Sequence, residues 1–202
     1  SSYQKISLLK YNRSLEKVNK YNKNKIAVLY AIGGIMPGKG DDGIYSETII
    51  DNIKKIKKNK NIKSVILYVN SGGGSAFASD LITRELELLQ KEKPLTVYMS
   101  DVCASGGYYI ACQADSIIAY PSTITGSIGV IGMRLNFSQL MERFGVHVEG
   151  IKMGKNSDFA SGSRLATEEE SALILESIND TYIKFKERVI KGRETLNDMD
   201  AL

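Results

Sequence analysis

The chain has 202 residues, of which 43% are apolar and 25% charged, and its 27 Lys and Arg against 23 Asp and Glu leave a net charge of +4. That is the make-up of an ordinary globular domain long enough to bury a full core. No stretch approaches 18 apolar residues, so nothing in the sequence spans a bilayer as a helix, and no signal peptide opens it.

The basic excess is concentrated in Lys10–Lys25 and Lys54–Lys63. Clustered cations can track phosphates, but the second run alternates with Ile53, Ile56 and Ile62 and reads as the solvated face of a helix, so no nucleic-acid partner is expected. Cys103 and Cys112 form no disulfide framework and have no metal-ligand spacing. They read as buried free thiols, and no metal or cofactor is implied.

In chain order, residues 1–24 are polar and rich in Lys, Asn and Tyr, as in a linker or docking arm. Lys25–Ile35 is a β-branched apolar run ended by glycines, which predicts a buried strand. Met36–Gly43 is a loop, after which Ile49, Ile53 and Ile56 recur at helical spacing. Ser64–Asn70 predicts a second buried strand, closed by Ser71-Gly72-Gly73-Gly74. Ala78, Ile82, Leu86 and Leu89 mark the next helix, Leu95–Ser100 a third strand, and Ser105–Ala114 a turn into a short helix.

Short strands are expected at Ser116–Ala119 and Ser127–Ile131, a helix near Ser138–Phe144, and a strand at His147–Met153. Thr167 and Glu170 form a capping box for a last helix striped by Ile174, Ile178, Tyr182, Phe185 and Val189, and Lys191-Gly192 stops it. Strands alternating with helices predict an α/β fold with a mostly parallel sheet.

Two glycine-rich junctions, Asn70–Ser75 and Ala104–Tyr108, each follow a strand and open a helix, where backbone N–H groups are unpaired. The first lacks the Gly-Lys-Ser/Thr of a Walker loop and the third glycine of a dinucleotide fingerprint. Its N–H groups suit an oxyanion as well as a phosphate. Ser105 on the second is either an N-cap or a nucleophile, and a nucleophile needs oxyanion donors nearby. It also needs a base. His147 is the single histidine and has no evident relay partner, which argues against a Ser-His-Asp triad. A lysine kept neutral by desolvation is the remaining option.

Ala104–Ala111, Val69–Ser75 and Thr125–Val130 resemble, in order, the nucleophile segment, the oxyanion segment and the following strand of the signal peptide peptidase A (protease IV) family. The resemblance runs from about Lys25 to Gly192. It implies a crotonase/Clp-protease-like fold of repeated β-β-α units and a Ser/Lys dyad that degrades signal peptides left in the membrane. By position, it implies Ser105 as nucleophile, Gly73 and Gly106 as oxyanion donors, and Ser127 as the serine that orients the lysine. No cofactor is implied.

Two departures stand out. Gly72 replaces the family's usual proline, and Ser157 occupies the position of the short form's lysine. In the long form two homologous halves are fused, with lysine in the first and serine in the second. The expectation is therefore the second half, with the lysine supplied by the preceding half. Lys155 is the possible substitute base.

On this reading residues 1–24 come from the connection between halves, 25–192 form the protease domain, and 193–202 begin a truncated C-terminal segment. Substrates are signal peptides and other apolar peptides, held in a groove lined by Ile128, Val130 and Met133. The assembly expected is a homo-oligomeric ring or dome, a tetramer being one such form. It sits at the bacterial cytoplasmic membrane with the catalytic domain on the extracytoplasmic side, this fragment itself being soluble. The alternatives are a catalytically incomplete scaffold half and an acyl-CoA-binding enzyme. Hydratases place acidic residues near the thioester, and only Asp101 lies close to Ser105 in sequence.

Overall fold

The structure is a computed structural model that describes residues 23–193. The arm assigned to residues 1–24 and the segment 193–202 therefore lie almost wholly outside the described residues. Within them run β1 (Lys25–Ile32), β2 (Ile35–Met36), β3 (Ile44–Tyr45), α1 (Ser46–Lys58), β4 (Ile62–Ser71) and α2 (Ala76–Gln90). They are followed by β5 (Leu95–Ala104), α3 (Gly106–Ala111), β6 (Ser116–Ala119), β7 (Ile124–Gly126), α4 (Ser138–Arg143) and α5 (Glu168–Gly192).

The main sheet has the order β1-β4-β5-β6, with β7 pairing the far end of β5, and every pair is parallel. Parallel neighbours need a crossover between them, and α1 and α2 supply two of these. Both helices cover the same face. Leu29, Ala31, Val65, Leu67, Val69, Val97 and Met99 meet Ile53, Ile82 and Leu89 there, and each is almost fully buried. Burying one such side chain contributes about 1.5–3 kcal/mol. Lys93 is buried beside this layer, its Nζ donating to the carbonyls of Ile56 at 2.6 Å and Asn59 at 2.7 Å, so it caps the end of α1.

The first strand differs from expectation. Its apolar run predicts burial on both faces, yet Ile26, Val28, Tyr30 and Ile32 are exposed because no described element covers that side. It also stops at Ile32, where Gly33 turns the chain at φ 100°. Four tyrosines cross the open face: Tyr30, Tyr68, Tyr98 and Tyr120, with successive ring centroids 5.4, 5.4 and 6.0 Å apart.

The third strand runs four residues past its predicted end. Val69 pairs Met99 but Ser71 pairs Cys103, so β5 carries two extra residues in a bulge. The Asn70 side chain fills the gap, accepting from Val102 N at 3.2 Å and donating to Asp101 at 3.3 Å. Bulges of this kind re-aim the residues that follow them, and Ser105 is the next residue after β5.

The predicted strands at Ser127–Ile131 and His147–Met153 do not form. Their apolar residues lack a neighbouring strand edge, and β7 takes the place beside β5 three residues earlier. The predicted capping box is present, with Glu170 N donating to Thr167 Oγ1 at 3.1 Å and Thr167 N to Glu170 Oε2 at 2.9 Å. Both cysteines are buried, and burial pushes each thiol up to about 12.

Candidate active site

Ser105 stands between β5 and α3 with φ 50° and ψ −122°, a conformation that L residues rarely adopt. Such strain costs about 1–3 kcal/mol and clusters where function requires it. The Ser105 side chain makes no helix-capping bond, so the ordinary N-cap role is not what holds it there. What holds the turn is backbone: Ser105 N donates to Gly126 O at 2.9 Å and Tyr109 N to Ser105 O at 2.9 Å. The first of these places Ser127, itself at φ 50° and exposed, beside the elbow.

The glycines are required by contact. A Cβ on Gly73 would lie 2.6 Å from Gly106 N and 2.9 Å from Ser105 Cβ. One on Gly106 would lie 2.7 Å from Ser79 Oγ, and one on Gly107 2.5 Å from Ser71 O. The two glycine turns thus pack backbone to backbone.

Of the two expected oxyanion donors, Gly73 and Gly106, the first has a partner within its own turn. Gly73 N–H is already used, donating to Ser71 Oγ at 3.1 Å while that hydroxyl donates to Gly33 O at 2.7 Å. The next residue, Gly74, has an N–H with no partner among the described residues, and it lines the cleft with Ser105 and Gly106. Gly74 N lies 3.2 Å from the position a Gly106 Cβ would take. Gly106 is the first residue of α3, where N–H groups have no intrahelical acceptor. Gly74 and Gly106 are thus the two residues of the glycine turns whose N–H groups are unspent at the cleft, while Gly73 N–H is used within its own turn. The triple glycine signalled a donor loop; which N–H stays free depends on the Ser71 hydroxyl.

The cleft has a volume of about 250 Å³. It is walled by Ser79 of α2, Tyr109 of α3, Val130 and Ile131 after β7, and Thr181 and Phe185 of α5. Of the expected groove residues, Val130 lines it. Ile128 instead packs behind it, against the buried cluster of Tyr109, Cys112, Phe185 and Val189. Met133 is 85% exposed and is not among the residues lining the cleft. The α5 residues Thr181 and Phe185 were missed as site residues, since the helical stripe alone marks them only as core or its border.

Among the described residues, no Lys, Arg, His, Asp or Glu lines the cleft. Its one titratable side chain besides the serines is Tyr109, whose hydroxyl donates to Asp80 at 2.8 Å. Burial, then that bond, pushes the phenol above its ordinary range, so it stays protonated and is no base. A lysine acting as a base must be buried to be neutral. Lys155 is on another part of the surface, its side chain 76% exposed and ion-paired to Glu169. The structure thus sets Lys155 apart from Ser105, and His147 is exposed and lines no part of the cleft.

This architecture is that of the Clp proteases: a ClpP1 variant from Listeria monocytogenes superposes with a TM-score of 0.53 over 86% of this chain and 75% of its own, at 11% identity, a likeness that carries the fold alone. The family model described as peptidase family S49 matches residues 87–202, and the chain belongs to that serine peptidase family. Among relatives, "Protease 4" of Haemophilus influenzae is 41% identical over 182 residues, 89% of this chain and 29% of its own. "Serine protease SPPA, chloroplastic" of Arabidopsis thaliana is 37% identical over 177 residues, 85% of this chain and 26% of its own. The chain spans little more than a quarter of either relative.

Proposed function

We propose that this chain is the nucleophile-bearing part of a membrane-associated Ser/Lys peptidase that degrades signal peptides after their release. The observation that carries the reading is the pairing of a strained Ser105 with two unspent backbone donors, at Gly74 and Gly106, in a cleft without a base. Ser105 Oγ adds to the scissile carbonyl as its proton passes to a neutral amine. The carbonyl oxygen, now negative, takes the two N–H groups. Collapse expels the leaving amine, which takes the proton, and water then hydrolyses the acyl-enzyme by the same steps.

The amine comes from outside this chain, from the preceding homologous half, with Ser127 orienting it beside the elbow. The emptiness of the cleft of cationic groups and the outlying position of Lys155 support this. Apolar lining from Val130, Ile131 and Phe185 suits the apolar and small residues of signal peptides. No described helix is long and apolar enough to cross a membrane. The membrane assignment rests on the likeness to the protease 4 relatives.

The test compares the chain alone with the chain joined to its preceding half. Without a positioned base, turnover falls by about 10²–10⁴-fold. Fluorophosphonate labelling of Ser105 and peptide turnover are expected only in the joined form, and both are expected to survive Lys155→Ala. Turnover by the isolated chain that Lys155→Ala abolishes would place the base inside this sequence and defeat the reading.

A further inference from the structure

We propose that α5 sets the size of the side chain accepted next to the scissile bond, with Thr181 as the specificity-determining residue at the cleft wall and Phe185 as its floor. The inference rests on Ser105 being the nucleophile.

The cleft opens between two bodies. On one side are the elbow and the start of α2, whose backbone contacts leave no room to give. Facing them is α5, which contributes Thr181 and, one turn on, Phe185. Phe185 is 3% exposed and its ring packs tilted against Tyr109 at 59°, with centroids 4.9 Å apart, so the floor is a packed aromatic pair.

Two features keep α5 at that distance. Arg188 Nη2 donates to Asp80 Oδ1 at 3.0 Å, the same oxygen that accepts from the Tyr109 hydroxyl, and Arg188 Nη1 donates to Glu87 at 2.6 Å. Lys191 Nζ donates to the same Glu87 oxygen at 3.0 Å. One carboxylate on α2 therefore ties both members of the floor: Tyr109 directly, and Phe185 through its neighbour three residues along. At the other end Gly132 admits the Ile178 side chain, since a Cβ there would lie 2.6 Å from Ile178 Cδ1.

Thr181 differs from these fixtures. It is half-buried, and its hydroxyl is spent on Ser177 O at 2.8 Å, so it holds no other part of the fold and offers no second hydrogen to a ligand. Its bulk alone faces the cleft. The peptide that fits has an aliphatic residue before the cut, its carbonyl directed to Gly74 and Gly106 N–H and its side chain toward α5.

Cleaved peptides carry a carboxylate where the scissile carbonyl was, so binding of products reads the cleft without any base. The experiment titrates the full chain with acetyl-Ala-Ala-X peptides bearing free carboxylates, X being Ala, Leu or Phe, and measures Kd. The Leu peptide is expected to bind more tightly than the Ala peptide. Thr181→Phe should weaken the Leu peptide by about tenfold, the scale of one or two methylenes in an apolar pocket, with the Ala peptide nearly unchanged. Thr181→Ala, a change that favours the helix, should move preference toward Phe, as should Phe185→Leu.

Equal losses for all three peptides in Thr181→Phe, unchanged selectivity in Thr181→Ala, or no binding by the unaltered chain would each overturn the inference. If Thr181→Phe melts early, Thr181→Ala decides. Failure of the nucleophile reading is separately visible: Ser105 then stays unlabelled by fluorophosphonate in the joined enzyme, whatever the peptide series gives.

Discussion

At the residue scale, the site is an arrangement of backbones fixed by a few hydroxyls. Ser71 makes the clearest case, since its Oγ accepts from Gly73 N and donates to Gly33 O. Ser71→Ala leaves both groups unpaired in a buried setting. An unmade buried hydrogen bond costs about 1–3 kcal/mol, and the urea midpoint should fall accordingly. Under the proposed mechanism Gly73 N–H, once released, competes with Gly74 as a donor, so fluorophosphonate labelling of Ser105 in the joined form should fall as well. Gly106→Ala should be more damaging, because its Cβ meets Ser79 Oγ at 2.7 Å. Adding Ser79→Ala removes that atom, and the double variant is expected to regain part of the lost stability, as measured by thermal unfolding.

At the element scale, α5 is held at its start by a charge network as well as its capping box. Arg164 Nη1 donates to Glu170 at 2.8 Å, and its Nε and Nη2 bond Asp158 at 2.9 Å each. The Arg164 bond, then the Thr167 backbone N–H, holds the Glu170 carboxyl down to about 2 from an ordinary 4.5. A carboxylate depressed in the folded state stabilises the fold above its unfolded value, and that stability is lost as pH falls. Unfolding followed from pH 7 to 2 should therefore show a loss beginning near 4.5 and running toward 2. Arg164→Gln should flatten it. Thr167→Ala is expected to cost about 1 kcal/mol, as loss of a helix cap does. The capping box was legible because it is a local pattern, and so was the alternation of strand and helix that makes the sheet. The strands expected at Ser127–Ile131 and His147–Met153 were not, because apolar runs do not reveal whether an edge is available to pair. For the same reason the apolar run of β1 could not tell a strand covered on both faces from one covered on a single face. The bulge in β5 also escaped, since it depends on Asn70 reaching across from another strand.

At the scale of the whole molecule, apolar surface is unevenly placed. Ile131, Met133, Ile151 and Met153 are each more than four-fifths exposed, in the stretch between β7 and α5. Exposed apolar side chains of this number are available to an interface, so the chain is expected to self-associate through them. Sedimentation should show concentration-dependent association that Ile131→Asp with Ile151→Asp reduces, while the unfolding midpoint stays near that of the parent. The open face of β1 adds Ile26, Val28, Tyr30 and Ile32 to the uncovered area.

The parallel register gives β1 another consequence, one of timing. Val28 pairs with Ile66, 38 residues later in the chain (66 − 28). At about 5–20 residues per second of synthesis, β1 waits about 2–8 s for its only described neighbour strand to be made. Through that interval a strand of isoleucine, valine, leucine and tyrosine has no ladder to pair with, and α1 alone can cover one of its faces. Nascent chains stalled before residue 66 should accordingly crosslink to chaperone through β1, and those stalled once β4 has cleared the ribosome should not.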